Sequence, residues 1–463
     1  MTEQLKLKLN DSKATRWGAL VIVAFTMMAA YYVNDVIAPL KTMLETDLAW
    51  SSTDFGFFTG GYSFLNVFFL MLIWGGLILD RFGIRFTGKL ATILMVGGTA
   101  LEYYAMTGLA GADATLFGIN EIFGYKTGVF VAFAGYSIFG VGAEVAGITV
   151  SKIIAKWFKG KELATAMGVQ VALARIGSQA GYAVAIPLAR AFGISTPVLL
   201  GLVLLLGGMI AFFVFAVMDK KLDKQMEAAA IAAGTEDEEE KFSFKDVKNI
   251  LVNPGFWLIA LLCVLFYSCV FPFQKFASEL MIIKYGINEN VAGTFAGLPA
   301  LGALILTPVF GGFIDKRGKS ASIMLLGSAM LICVHFIYAI PDINYWLVAI
   351  VLMIILGIAF SLVPSAMWPA VAKIFPVSQL GTAYALIFFI QNIGLWGIPT
   401  LIGWVLDAYC ISGKKPDGTN MYDYTVPMCI FTGIACLSLI VALLLKKADK
   451  KYGYKLEEPN IQK

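Results

Sequence analysis

The sequence predicts an all-α membrane protein with twelve transmembrane helices, arranged as two pseudo-symmetric bundles of six. Three observations support this fold class. The 463 residues are 59% hydrophobic and only 14% charged, whereas a soluble chain carries roughly a quarter charged residues. The apolar residues occur in runs of about 20, the length that crosses a bilayer as a helix. Two motifs from the first part of the chain also recur in the second part.

Twelve apolar runs are long enough to span a bilayer. They cover residues 17–40, 54–79, 86–109, 127–150, 163–189, 196–218, 256–283, 289–314, 321–340, 344–370, 380–407 and 425–445. Lysine and arginine indicate the orientation, because cytoplasmic loops are enriched in both. The termini and the even-numbered loops contain 27 of these cations, and the opposite loops contain 6. We therefore expect both termini in the cytoplasm.

A charged segment divides the spans into six and six. Its acidic run at 236–240 is typical of a solvated linker. Residues 242–252 have the pattern of a short amphipathic helix on the membrane surface. The predicted organisation is an N-terminal six-helix half at 1–219, a cytoplasmic linker at 220–253 and a C-terminal six-helix half at 254–463.

Composition also bears on cofactors and partners. The six cysteines are scattered, so they indicate neither a disulfide framework nor a metal site. The net charge of +4 gives no reason to expect a nucleic-acid partner. No nucleophile–base arrangement is evident, so we expect no cofactor and no enzymatic activity. The expected partners are the lipid bilayer and a small-molecule substrate, and we expect a monomer.

The two halves share two motifs, which makes a duplication the best explanation. One runs from Lys156 to Ala166 and recurs from Lys373 to Ala383, at an offset of 217. The other is G-x-x-x-D-[RK]-x-G, which begins at Gly76 and again at Gly311, at an offset of 235. Two parallel halves suit alternating access, with the binding site near the midplane at their interface.

The second motif is expected to form a gate on the cytoplasmic side. When that side closes, Asp80 can approach the start of the eleventh span at Leu380, whose positive dipole end attracts a carboxylate. Asp315 would act in the same way on the fifth span near Leu163. The predicted gating residues are Gly76, Asp80, Arg81, Gly83, Arg85, Gly311, Asp315, Lys316 and Gly318.

Two opposite charges lie inside apolar spans, Glu144 in the fourth and Arg175 in the fifth. An ionisable group at this depth costs about 3 kcal/mol to insert, so it normally faces a partner, a bundle interior or a watery cavity. The two side chains could hold the ends of a zwitterion, or they could form an ion pair that only stabilises the bundle. The offset of 217 places Ser361 and Asn392 at the equivalent positions of the second half, which favours the ligand interpretation.

Other polar side chains in the spans have two interpretations each. Gln179 and Tyr182 follow Arg175 on one helical face, and Tyr384, Phe388 and Gln391 share another; both stripes could line the cavity or bond neighbouring helices. Asp35 could carry a proton or make a contact at the outer gate. Lys275 could face the cavity or extend outward to the membrane surface. We expect the single histidine, His335, to be structural and Glu102 to be interfacial.

The loop motif identifies the chain as a member of the major facilitator superfamily. Within it, the sequence resembles the lysosomal dipeptide uniporter branch over most of both halves. The resemblance rests on WFKGKEL (157–163), ARIGS (174–178), YYVNDVIAPL (31–40), Trp368-Pro369, QLGTAY (379–384) and Gln391-Asn392. In that branch, the acidic residue of the fourth span and the arginine of ARIGS hold the two termini of a dipeptide. The matching residues are Glu144 and Arg175.

The resemblance implies facilitated diffusion of dipeptide-like zwitterions. The alternatives are a proton-coupled symporter or antiporter of an organic anion or peptide and, remotely, a non-transporting receptor. The eukaryotic members carry an acidic dileucine signal that MTEQLKLKLN lacks, so we expect a prokaryotic inner membrane and no accessory subunit. The predicted substrate-binding residues are Tyr31, Asp35, Glu144, Arg175, Gln179, Lys275, Trp368, Tyr384, Gln391 and Asn392.

Overall fold

The computed structural model describes residues 8–111, 114–158, 161–233 and 244–459. They form a helical protein with two short β-hairpins. The helices are α1 (Lys13–Val36), α2 (Lys41–Asp47), α3 (Ser52–Phe68), α4 (Met71–Thr107), α5 (Thr127–Trp157), α6 (Leu163–Phe192), α7 (Thr196–Ala233), α8 (Phe244–Val252), α9 (Pro254–Tyr285), α10 (Glu289–Ala296), α11 (Leu298–Arg317), α12 (Ser320–Ala339), α13 (Trp346–Ile374), α14 (Val377–Tyr409) and α15 (Thr425–Tyr452). The antiparallel hairpins pair β1 (Glu121–Ile122) with β2 (Tyr125–Lys126) and β3 (Ile411–Lys414) with β4 (Asn420–Tyr422).

Each of the twelve predicted spans overlaps a helix or part of one. In the described ranges, nine helical segments are long and apolar enough to cross a membrane, and the pair α3 and α4, bent by 58°, makes a tenth. The break between the second and third spans lies inside α4, at Gly83 with φ +75°. The remaining span is α6, which carries Arg175 and Gln179 among alanines and glycines. The predicted membrane fold is confirmed.

Local signals set the helix ends. At the start of α3, Ser51 and Asp54 form a capping box in which each side chain accepts from the other's backbone N–H. Asn253 caps α9 ahead of Pro254, and the helix stops at Gly286, whose φ of +61° suits glycine. The amphipathic helix expected at 242–252 is present as α8, whereas the acidic run at 236–240 lies outside the described residues.

Glycines let helices within the first six spans approach closely. A Cβ atom on Gly135 of α5 would lie 2.6 Å from the carbonyl oxygen of Gly98 on α4. A Cβ atom on Gly181 of α6 would lie 2.9 Å from the carbonyl oxygen of Tyr32 on α1. These contacts fix α5 and α6, the helices that carry Glu144 and Arg175.

The two faces of the membrane domain differ in how the first six spans meet the last six. We call the side where α1 begins and α15 ends the terminal face, and the opposite side the far face. Near the far face, α3 packs directly on α14: a Cβ atom on Gly56 would lie 3.0 Å from the Cα of Gly403. Asp407, near the end of α14, also accepts from the N–H groups of Ser52 (3.3 Å) and Thr53 (2.6 Å) at the start of α3. A carboxylate at a helix N-terminus is a favourable contact.

A second contact across the far face joins α6 to α10. Arg190 of α6 donates to Asn290 Oδ1 at 2.8 Å and pairs with Glu289. A Cβ atom on Gly297, which follows α10, would lie 2.9 Å from the Cβ of Tyr182 on α6. The far face is therefore closed in this conformation.

At the terminal face, the first copy of the predicted gating motif makes contacts within its own half. Asp80 accepts from Lys152 at 3.0 Å, and its side chain is 66% exposed. Arg85 pairs with Asp223 and, at 3.5 Å, with Asp219, both on α7. The expected approach of Asp80 to Leu380 belongs to a conformation closed at this face, and it stays a prediction.

The motif glycines fall into two groups. A Cβ atom on Gly76 or Gly311 would meet nothing within 4 Å. Gly83 and Gly318 have φ of +75° and +70°, so they bend or end their helices. Arg81 lies over the ring of Phe82 at 5.5 Å, and Lys316 is exposed. The open space at Gly76 and Gly311 is consistent with a terminal face that has room to close.

Candidate functional site

Glu144 and Arg175 lie on neighbouring helices and are both half-buried. In the described part of the chain, no ion pair joins them. Glu144 Oε1 instead accepts a hydrogen bond from Tyr62 Oη at 3.0 Å. An ion pair that only stabilises the bundle would place the two charges in contact, so this arrangement supports the ligand interpretation.

Arg175 lies between two aromatic rings. Its guanidinium carbon is 5.4 Å from the ring centre of Tyr31 on α1 and 4.9 Å from that of Phe360 on α13. Aromatic faces attract a cation without neutralising it, and they leave its hydrogen-bond donors free for a carboxylate. Because Phe360 belongs to the last six spans and Tyr31 to the first six, the guanidinium lies at the interface of the two halves.

Tyr31 lies near both charges. Its phenol is close enough to Arg175 and to Glu144 to interact electrostatically with each. The ring is half-buried, as are both charged side chains. The three residues therefore form a candidate central site, whose acidic end is bonded to Tyr62 and whose basic end is stacked on Tyr31 and Phe360.

A buried polar cluster lies about one helical turn toward the far face from this site. Lys275 Nζ on α9 donates to the carbonyl oxygen of Asn34 (2.6 Å) and contacts Tyr136 Oη (3.3 Å) and Asp35 Oδ1 (3.5 Å). Asp35 also accepts from Ser178 Oγ at 2.5 Å and from Asn34 Nδ2 at 2.8 Å. The cluster joins α9 of the second half to α1, α5 and α6 of the first. It closes the central site on the side of the far face.

A charged network forms a further layer, nearer the far face. Lys41 Nζ is 2.5 Å from both Glu45 Oε1 and Glu279 Oε2, and all three residues are buried. Lys415, which follows β3, lies 3.6 Å from each of the two carboxylates. We call Lys41, Glu45, Glu279 and Lys415 the far-face network. Sequence reasoning missed it, because Lys41 and Lys415 were counted only as loop cations.

Four further predicted binding residues lie in the second half. Trp368 stacks on Phe388 (4.8 Å between ring centres), and Tyr384 donates to the carbonyl oxygen of Trp368 at 3.1 Å. Gln391 is buried and accepts from Cys263 Sγ at 3.3 Å. Asn392 is buried, and its amide donates to Phe388 of its own helix at 2.9 Å. In this conformation, their described contacts join them to each other or to their own half.

The pseudo-symmetry of the two halves does not extend to the contacts of their side chains. Ser361, the counterpart of Glu144, is fully buried and donates to the carbonyl oxygen of Gly357 in its own helix at 2.8 Å. Asn392, the counterpart of Arg175, bonds in the same way. Gln179, by contrast, crosses between the halves, because its Nε2 donates to the carbonyl oxygen of Thr294 at 3.3 Å.

Two other ionisable residues have clear positions. His335 is fully buried with Nε2 3.1 Å from the carbonyl oxygen of Cys269, which fits the predicted structural role. The prediction for Glu102 was wrong. Its side chain is fully buried rather than interfacial, and neither carboxyl oxygen has a hydrogen-bond partner among the described residues. The reason is tertiary, because α4 packs closely on α5 at this level: a Cβ atom on Gly135 would lie 2.8 Å from the backbone nitrogen of Glu102.

Comparison with known proteins identifies the family. The model of the Major Facilitator Superfamily matches residues 20–398 and 276–458. The chain belongs to this superfamily. The membership predicted from the loop motif is thereby confirmed, and with it the class of transporter rather than enzyme.

Relatives within the superfamily agree with the branch predicted from sequence. The chain is 29% identical over 454 residues to the human lysosomal dipeptide transporter MFSD1, covering 95% of this chain and 88% of the relative. It is 33% identical over 287 residues to the chicken MFSD1, covering 59% of this chain and 62% of the relative. The predicted resemblance to a dipeptide transporter branch is confirmed.

Solved structures of superfamily members share the fold. The nucleoside transporter NupG superposes with a TM-score of 0.68 at 11% identity, covering 92% of this chain and 99% of NupG. The peptide transporter POT in complex with sulfate superposes with a TM-score of 0.65 at 15% identity, covering 95% of this chain and 96% of that chain. At these identities the likeness shows the major facilitator fold.

Proposed function

We propose that this protein carries dipeptide-like zwitterions across a membrane by facilitated diffusion. The observation that carries the proposal is that Glu144 and Arg175 lie near one tyrosine without pairing, each held by a neutral partner. A ligand with an ammonium at one end and a carboxylate at the other would satisfy both, and the planar fork of arginine suits a carboxylate. The lysosomal dipeptide transporters among the relatives support the same substrate class.

Transport would use rocking of the halves 1–219 and 254–463 about the central site. The far face is closed by the α3–α14 and α6–α10 contacts and by the far-face network. Lysine and arginine enrichment predicts that the terminal face is cytoplasmic, and on that basis we propose that this conformation is closed to the outside. We propose that the chain works as a monomer in a prokaryotic inner membrane.

The proposal predicts dipeptide exchange that needs no driving ion. Purified protein in liposomes should take up a labelled dipeptide by counterflow, and the same dipeptide with both termini blocked should not compete. A pH gradient imposed across the liposomes should leave the plateau unchanged, because facilitated diffusion stops at equal concentrations. Failure of a broad dipeptide panel to exchange would contradict the proposed substrate.

A proton-coupled carrier is the second candidate, and the position of Glu102 favours it. A buried carboxyl group without a described partner is the kind of group that carries protons in membrane transporters. Asp35, the earlier candidate, is fully engaged with Ser178, Asn34 and Lys275. Accumulation of dipeptide above equilibrium under a pH gradient, lost in Glu102→Gln, would establish this alternative.

A further inference from the structure

A cavity between α6 and α11 begins at Arg175. It has a volume of about 270 Å³, slightly below the roughly 300–1,000 Å³ of sites that enclose a whole small ligand. The space therefore suits part of a ligand, about the size of a side chain. Its lining residues are Arg175, Gln179, Ala180, Ala183, Leu301 and Leu304, together with Ile176.

The surface of the cavity is apolar throughout. Arg175 and Gln179 border it without presenting polar surface to it, and the remaining walls are alanine, isoleucine and leucine side chains. Two of the wall residues, Ala180 and Ala183, are small, and so leave room that larger side chains would fill. Ile176 and Leu301 are partly exposed at 46% and 37%. A charged or strongly polar group would lose hydration here without gaining partners, whereas an apolar group would be stabilised by burial.

We propose that this cavity is a specificity subsite for the side chain of the carboxyl-terminal residue of the substrate, and that it selects apolar side chains. The inference rests on the proposed function and deepens it. In a dipeptide, the carboxylate and the side chain of the second residue leave the same carbon atom. If Arg175 binds the carboxylate, that side chain is the part of the ligand nearest the cavity that Arg175 lines.

The orientation of the ligand follows from the same contacts. Glu144 belongs to α5 and is bonded to Tyr62, and neither residue lines the cavity. The amino-terminal side chain would accompany the ammonium group toward Glu144. The site should therefore distinguish two dipeptides of identical composition and opposite order. Neither charge nor overall hydrophobicity can produce that difference.

Competition by such a pair tests the subsite. Counterflow of labelled Gly-Gly would be measured in liposomes against unlabelled Gly-Leu, Leu-Gly and Gly-Gly. With wild-type protein, Gly-Leu should compete about tenfold better than Leu-Gly, which is the discrimination an apolar pocket supplies. The double variant Ala180→Leu/Ala183→Leu should remove this advantage and leave competition by Gly-Gly unchanged. Ala191→Leu, an exposed position on the same helix, is the matched control.

The other outcomes each have a definite meaning. Equal competition by Gly-Leu and Leu-Gly in the wild-type protein would overturn the subsite while leaving dipeptide transport intact. An equal loss for all three competitors in the double variant would also overturn it, and would indicate that the cavity is structural or holds a lipid chain. Wild-type protein that transports no dipeptide would instead contradict the proposed function itself.

Discussion

Replacing Arg175 by alanine is expected to lower kcat/KM for dipeptide exchange by at least about 30-fold. Removing one partner of a desolvated charged contact costs about 2 kcal/mol or more, and each 1.4 kcal/mol corresponds to a factor of about ten. The loss has this size because Tyr31 and Phe360 are neutral and cannot bind a carboxylate in place of the guanidinium. Initial rates of counterflow in liposomes measure it.

Two comparisons separate charge from geometry at this position. Arg175→Lys keeps the positive charge but loses the planar fork and the stacking on two rings, so it should recover only part of the activity. Arg317→Ala removes an exposed guanidinium at the end of α11 and should leave transport unchanged. Full activity in Arg175→Ala would show that the guanidinium does not hold the substrate.

Glu279→Gln is expected to open the far face. The substitution leaves Lys41 and Lys415 with Glu45 as the remaining carboxylate of the far-face network. Breaking a buried ion pair by removing one partner costs about 3–5 kcal/mol. That penalty falls on the conformation in which the network is assembled, so the population closed at the far face should fall by at least about 100-fold relative to the open one.

Distances between spin labels report this shift. Labels at Thr46→Cys and Asp342→Cys, exposed positions at the far face in the two halves, would be compared in a background without native cysteines. The distance distribution should move to longer values in Glu279→Gln. Glu289→Gln is the matched control, because its pair with Arg190 is exposed and such pairs contribute only about 0–1 kcal/mol. Equal shifts in both variants would contradict the special role of the buried network.

Much of the fold could be predicted because the bilayer constrains the sequence strongly. Apolar length identified the spans, and the repeated loop motif identified the superfamily. Glu144 and Arg175 could be identified as candidates because a charged side chain at membrane depth costs free energy unless it faces a partner or a watery cavity. Their neutral partners could not be predicted. Tyr62 and Phe360 reach the site through the packing of α3 and α13, which periodicity within one helix does not describe.

The contacts at the far face were the part of the structure that could be predicted least from the sequence. Lys41 and Glu279 are 238 residues apart, and each lies near the end of an apolar run where a charge is unremarkable. The offset of 217 correctly equates helices but not the contacts of their side chains. It placed Ser361 and Asn392 opposite the charges, whereas both bond within their own helices. The position of Glu102 was predicted wrongly because the burial of its side chain on α4 depends on the neighbouring helix α5, which the sequence of α4 alone does not describe.

The central claim is that Glu144 and Arg175 bind opposite ends of one ligand. Affinities of a dipeptide, its N-acetyl form and its carboxyl amide for wild-type protein, Glu144→Gln and Arg175→Ala test it most directly. Acetylation of the amino terminus should weaken binding to wild-type protein by about 30-fold but have little further effect on binding to Glu144→Gln. Amidation of the carboxyl terminus should weaken binding to wild-type protein by a similar factor but have little further effect on binding to Arg175→Ala. If both variants respond to both modifications as the wild-type protein does, the two side chains do not hold the two termini.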